Sequence, residues 1–210
     1  MIATPATALI IPGIDGSGPD HWQTRWEAER GDCRRVDQRD WAEAEPDEWT
    51  GSLYRAVRGA PGDVVLVAHS LGCLLVDYAT ALFGQWQGRI RGALLVAPCD
   101  PERPGVREAI GRFPAARTPL PFRTIVVASE DDGYVSLDRA RCFAERWGAS
   151  FVEAGKLGHI NAASDLGSWG FGQVLLDGLL GGSNATAVAR AAELRAQRMT
   201  DDAWFGCRPN

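Results

Sequence analysis

The feature that most constrains this chain is a buried-strand pattern running straight into a serine. The apolar run Val64-Val65-Leu66-Val67 is followed by Ala68-His69-Ser70-Leu71-Gly72, and then by a segment of helical character. A strand, a sharp turn carrying a serine, and a helix form the layout of a nucleophile elbow. There the hydroxyl is exposed at the carboxyl end of a sheet. The usual pattern is Gly-x-Ser-x-Gly, and Ala68 stands in place of its first glycine. Small residues are expected on both sides of the serine because strand and helix nearly touch there, and alanine meets that need.

Other apolar runs of strand length surround this one. They are Ala8–Ile11, Ala93–Val96, Thr124–Val127 and the weaker Ser150–Val152, with a short strand expected over Cys33–Val36. They are continuous rather than alternating, as in strands buried on both faces of a parallel sheet. Segments of helical length lie between them, near residues 19–30, 46–58, 71–85, 136–147 and 166–180. Alternating strands and helices predict an α/β fold, a mostly parallel central sheet with helices on both faces. The Pro- and Arg-rich stretch 100–121 has room for a short helix near Val106–Ile110 but not for a cap domain, so the active site is expected to be open. Residues 1–180 read as one α/β domain. Gly181-Gly182 reads as a break, and 181–210 as a helical extension. That extension is expected to dock through Ala187, Val188, Ala191, Leu194 and Met199, or through Trp204 and Phe205.

Composition narrows the partners. The net charge is −5 and no basic cluster stands out, which argues against nucleic acid. The five cysteines (Cys33, Cys73, Cys99, Cys142 and Cys207) are scattered and contain no Cys-x-x-Cys pair. A metal site or disulfide framework is therefore not expected, and a reducing cytoplasm is the simple reading. The first residues do not resemble a signal peptide. Val64 to Phe83 is apolar enough to mimic a membrane span, but it contains His69 and Asp77 and divides at the elbow, so no membrane association is expected. No cofactor is expected: the loop after the first strand lacks Gly-x-Gly-x-x-Gly and Gly-Lys-Ser/Thr.

A serine hydroxyl needs an adjacent base. The chain has three histidines. His69 is fixed beside Ser70, where adjacent residues on the turn point apart, and His21 lies too early. In this architecture the triad runs serine, acid, histidine. Only His159, in Leu157-Gly158-His159-Ile160-Asn161, fits that order. The acid is expected just past strand 124–128, in Glu130-Asp131-Asp132. Asp132, followed by Gly133, is the choice, with Asp131 and Glu130 as alternatives. The oxyanion hole needs two N–H donors. Leu71, at the helix N-terminus, supplies one, and Ile14, in the glycine-rich loop Pro12–Pro19, the other. Trp22 and Trp26, four residues apart, are expected to pack on the sheet rather than bind substrate, with Trp22 the exception to watch because it lies near the loop expected to form the oxyanion hole.

At this point the chain resembles a known family. Residues Ile11-Pro12-Gly13-Ile14-Asp15-Gly16-Ser17-Gly18-Pro19-Asp20-His21-Trp22-Gln23-Thr24-Arg25-Trp26-Glu27 are similar to the signature of the small serine hydrolases typified by retinoblastoma-binding protein nine and its bacterial relatives. So are His69–Cys73, Asp132-x-Tyr134-Val135-Ser136 and Gly155-x-x-Gly158-His159-Ile160-Asn161. The resemblance spans about residues 7–180. It implies a cap-less α/β-hydrolase fold with a Ser-Asp-His triad, carried onto Ser70, Asp132 and His159. Two positions depart from the family: Ala68 where glycine is common, and Gly133 where proline is usual. The motif Leu-x-Cys-x-Glu is absent, since Leu71-Gly72-Cys73-Leu74-Leu75 lacks the acid, so no retinoblastoma interaction carries over. The expected activity is hydrolysis of an ester, thioester or amide of a small molecule or short peptide. A non-catalytic binding module and an acyltransferase using the same triad are the alternatives.

Overall fold

The computed structural model describes residues 6–110, 113, 119–181, 188–190 and 192–193, without the side chains of 85–87 and 109. Among these described residues six strands form one sheet: β1 Thr7–Ile11, β2 Cys33–Arg35, β3 Val64–His69, β4 Ile90–Val96, β5 Arg123–Ala128 and β6 Ser150–Glu153. Their order is β2-β1-β3-β4-β5-β6 and every pairing is parallel. The expected sheet was mostly parallel; the observed one is wholly so.

The helices are α1 Trp22–Glu29, α2 Pro46–Gly59, α3 Leu71–Leu82, α4 Val106–Ile110, α5 Leu137–Trp147 and α6 Gly170–Gly181. Continuous apolar strands are explained by cover on both faces. Leu9, Ile11, Leu66, Ala68, Leu95 and Val126 pack with residues of α2, α3 and α5. Their alternates Ala8, Ile10, Val65, Val67, Leu94 and Val127 pack with α1 and α6. Asp77, the charge that argued against a membrane span, is buried within α3 and accepts a hydrogen bond from Trp147 Nε1 at 3.1 Å. Among the described residues no helix is long and apolar enough to cross a membrane.

Several element bounds are shorter than expected, for local reasons. Helix α1 starts at Trp22 rather than residue 19 because His21 caps it: His21 Nδ1 accepts the Gln23 N–H at 3.1 Å. Helix α6 starts at Gly170 rather than 166 because Trp169, at φ 40°, lies in the left-handed region. Residues 188–190 and 192–193 are helical, and Val188 packs against the α1/α6 face. The other docking residues expected of the extension (Ala187, Ala191, Leu194, Met199, Trp204 and Phe205) lie outside the described residues.

The strand order has one functional consequence. From β1 the chain crosses to β2 on one side, and later returns to β3 on the other. The loops after β1 and β3 therefore part at the carboxyl edge of the sheet, leaving a crevice of the kind in which α/β proteins bind ligands. Ser70 follows β3 directly and lies at that crevice.

Candidate active site

Ser70 has φ 54° and ψ −120°, a conformation that L-residues rarely adopt. Its neighbours hold it there. The Ser70 N–H donates to Val96 O of β4 at 3.0 Å, and its carbonyl accepts the Cys73 N–H at 3.0 Å as α3 begins. The need for a small residue at Gly72 comes from a close approach of helix to strand. A Cβ on Gly72 would lie 2.4 Å from Ile11 O and 2.9 Å from Pro12 O, so α3 comes close to the end of β1 there. Ala68 fits because its Cβ lies in the packed core on the α2/α3/α5 face. Gly13 closes in from the other side, where a Cβ would stand 3.0 Å from Ser70 Cβ and 3.3 Å from Leu71 N.

His159 lies in the loop between β6 and α6. Its Nε2 is 2.9 Å from Ser70 Oγ, and its Nδ1 is 2.8 Å from Asp132 Oδ2 and 3.0 Å from Oδ1. A carboxylate only accepts, so Nδ1 carries the proton and Nε2 presents a lone pair to the hydroxyl. The Asp132 side chain is fully buried. Its Oδ1 also accepts the Tyr134 N–H at 2.8 Å, which closes the turn after it. Gly133 is not in the left-handed region, so this aspartate-to-backbone bond, not glycine freedom, shapes the turn. The three residues expected to act together are thus one hydrogen-bonded chain drawn from the carboxyl ends of β3, β5 and β6.

The alternatives to Asp132 face elsewhere. Asp131 Oδ1 accepts the Gly158 N–H at 2.8 Å and lies 2.8 Å from Ser129 Oγ. Those hydrogen bonds hold the Asp131 carboxyl below its usual range. Ser129 Oγ in turn accepts the Leu157 N–H at 2.8 Å. Glu130 is exposed, and its N–H donates to Gly155 O at 2.9 Å. This segment therefore braces the histidine loop while Asp132 alone of the three reaches the imidazole.

Sequence reasoning missed several supports. Trp22 Nε1 donates to Ile160 O at 2.8 Å, and Trp26 Nε1 to Ser168 O at 2.7 Å, so α1 holds the histidine loop from beneath. Both indoles are buried, in keeping with packing rather than substrate contact. Gln23, wholly buried, donates to Val67 O at 3.1 Å and to Ile11 O at 3.3 Å, joining β3 and β1 at the point where their loops diverge. The i, i+4 tryptophan spacing marked a packed helix face, but no sequence signal specified which carbonyls the indoles would meet.

A cavity of about 400 Å³ opens over Ser70. Ile14 and Leu71, the two expected oxyanion donors, both line it, with Cys99, Val106, Ile110 and Tyr134. The loop after β1 is pinned by the Asp15 N–H to Trp41 O bond at 2.8 Å, and its turn needs Gly16, at φ 66°. Helix α4 supplies one wall, where a larger insertion would have built a cap. Tyr134 lies against the His159 ring with centroids 4.3 Å apart. Cys99 is no competing nucleophile: burial pushes its thiol up to about 12, so the thiolate does not form. Among the described residues no cluster of His, Cys, Asp or Glu is placed to hold a metal ion.

The comparisons with known proteins agree with this fold. Residues 8–178 match the family described as serine hydrolase. A YdeN-like hydrolase from Pectobacterium atrosepticum is 31% identical, with a TM-score of 0.71 over 88% of this chain and 93% of that one. The ydeN gene product of B. subtilis is 19% identical, with a TM-score of 0.67 over 85% of this chain and all of that one. Est1E from Butyrivibrio proteoclasticus, solved with ferulic acid bound, is 15% identical over 83% and 89% of the two chains, with a TM-score of 0.59, and shares the fold alone. No curated protein matches the chain. With the family covering most of its length, the chain belongs to the serine hydrolases, within the α/β-hydrolase fold, alongside retinoblastoma-binding protein nine and YdeN.

Proposed function

We propose that the protein hydrolyses an ester, thioester or amide of a small molecule or short peptide through an acyl-enzyme on Ser70. The observation that carries this reading is the unbroken chain from Ser70 Oγ through His159 to Asp132, with separations of 2.9 Å and 2.8 Å. His159 Nε2 takes the hydroxyl proton as Ser70 Oγ bonds to the substrate carbonyl carbon. Asp132 holds the imidazole in the tautomer that leaves Nε2 bare, and stabilises the imidazolium that forms. The Ile14 and Leu71 N–H groups receive the developing oxyanion, helped by the positive end of α3. The imidazolium then gives its proton to the leaving group. Water, deprotonated by the same imidazole, releases the acid and restores Ser70.

The apolar wall of Ile14, Leu71, Val106 and Ile110 suits an apolar acyl group, and a cavity of about 400 Å³ admits a small one. A non-catalytic binding module, which needs neither base nor acid, leaves the Ser70–His159–Asp132 chain without a purpose. The test is active-site labelling. A fluorophosphonate should modify the protein once, and peptide mass spectrometry should place the adduct on Ser70. Absence of labelling, or an adduct on another residue, would overturn the proposal.

A further inference from the structure

One buried polar group beside the nucleophile has no part in that mechanism. His69, the last residue of β3, is buried, and its Nε2 is 2.9 Å from the carbonyl oxygen of His159. A carbonyl only accepts, so His69 Nε2 carries a proton and donates it. Burial, with His159 and His21 close by, holds the His69 pKa well below its ordinary value, consistent with a neutral ring. Among the described residues the ring nitrogen that meets Ser70 Oγ is His159 Nε2, and His69 instead donates its N–H to the His159 backbone.

The ring is itself held in place. His21 meets His69 edge-on, with centroids 4.8 Å apart, and the His69 and His159 rings lie 4.9 Å apart. His21 is fixed in turn by capping α1. The three histidines of the chain therefore form one contact series ending at the triad.

The loop that carries His159 has several anchors, and they do different things. Ser129 and Asp131 tie Leu157 and Gly158 to the segment that carries Asp132, which couples base to acid. Trp22 ties Ile160 to α1. Among the described residues, His69 alone links the backbone of the base to the strand that ends in the nucleophile. The loop needs such a link, since Gly155, Gly158 and Ile160 all stand at positive φ around His159.

We infer that His69 is a positioning residue that fixes the separation of Ser70 and His159 by hydrogen-bonding the His159 carbonyl from the residue next to the nucleophile. This rests on the proposed triad reaction. Proton transfer in that reaction depends on a separation of about 3 Å, and a misplacement of about 1 Å can cost about 100-fold in rate.

The test compares two substitutions on a p-nitrophenyl ester. His69→Phe keeps an aromatic ring and removes the donor. His69→Gln restores an N–H at a similar reach. The expected result is a fall in kcat of about 100-fold for His69→Phe with KM changed less than about 3-fold, a parallel fall in the rate of fluorophosphonate labelling, and recovery to within about 10-fold of wild type for His69→Gln. If His69→Phe does not fold, His69→Asn, whose amide is too short to reach His159 O, must show the same loss. Wild-type kcat in folded His69→Phe or His69→Asn would overturn the inference, as would equal losses in the Gln and Phe variants. Ser70→Ala separates the two proposals. Full activity in Ser70→Ala would remove the triad reading itself, whereas an inactive Ser70→Ala with a fully active His69→Phe would remove only the role of His69.

Discussion

Asp131 and Asp132 are consecutive and hold two consecutive residues of the His159 loop, one by its side chain and one by its backbone: Asp132 accepts from the imidazole Nδ1, and Asp131 accepts from the Gly158 N–H. One fixes the His159 ring and the other holds the backbone that carries it. Asp132→Asn is therefore expected to lower kcat by about 10⁴-fold, the size of loss seen when a triad histidine is left in the wrong tautomer. Asp131→Asn removes only charge-assisted bonds at an exposed carboxylate, so its effect on kcat should stay within about 10-fold. Steady-state kinetics on a p-nitrophenyl ester would check this. A larger loss at Asp131 than at Asp132 would exchange their roles.

Gly72→Ala should be severe. The new Cβ would meet two backbone oxygens, Ile11 O at 2.4 Å and Pro12 O at 2.9 Å, neither of which can rotate away as a side chain could. The strain should cost about 1–3 kcal/mol, as overpacking does, and should move Ser70, so thermal stability and esterase rate fall together. Ala68→Gly, by contrast, restores the commoner elbow residue and should cost about 0.5–1 kcal/mol through backbone entropy while keeping most of the activity. Denaturant unfolding together with kcat would show the contrast.

Trp22→Phe keeps an aromatic ring under the site but removes the Nε1–H that satisfies the Ile160 carbonyl. A buried carbonyl left without its donor costs about 1–3 kcal/mol. Because that carbonyl adjoins His159, the variant should lose kcat more than it gains KM. An unchanged kcat alongside a loss of stability would show that the indole supports the fold but not the base.

Stability should fall on acidification, and His21 should contribute. Burial first, then Arg35 and His159, lower its pKa from 6.5 to about 4. The unfolded chain therefore takes up a proton before the folded one does. The contribution is complete above about pH 6.5 and is lost as pH falls towards about 4, a change on the order of 3 kcal/mol. His69 shifts in the same direction. His21→Asn keeps an acceptor side chain to cap α1 and removes this titration. It should flatten the slope of unfolding free energy between pH 6.5 and 4. An unaltered slope would show that other groups set the acid limit.

How far the sequence disclosed this site depended on how local each constraint was. The elbow was legible because strand, serine and helix are contiguous, and His159 because chain order limits the base in this architecture. The strands were legible because cover on both faces demands continuous apolar runs. The turn residue after it and the family resemblance favour Asp132 over Asp131; the direction of each carboxylate after β5, which separates them physically, is not written in three neighbouring acids. The bonds from Trp22 to Ile160 and from His69 to His159 join residues 138 and 90 positions apart. They exist only because β1, β3 and β6 end on the same edge of the sheet. That the strand nearest Gly72 is β1 follows from the same topology and not from the motif's spacing.

The central claim is that Ser70 is the nucleophile of a hydrolase, and its most direct test is the rate of p-nitrophenyl ester hydrolysis by Ser70→Ala beside wild type. The account predicts a wild-type burst of about one p-nitrophenolate per chain where deacylation is slow. In Ser70→Ala it predicts no burst and a rate lower by about 10³-fold or more, with an unchanged circular dichroism spectrum. A folded alanine variant that keeps its burst and most of its rate would contradict it.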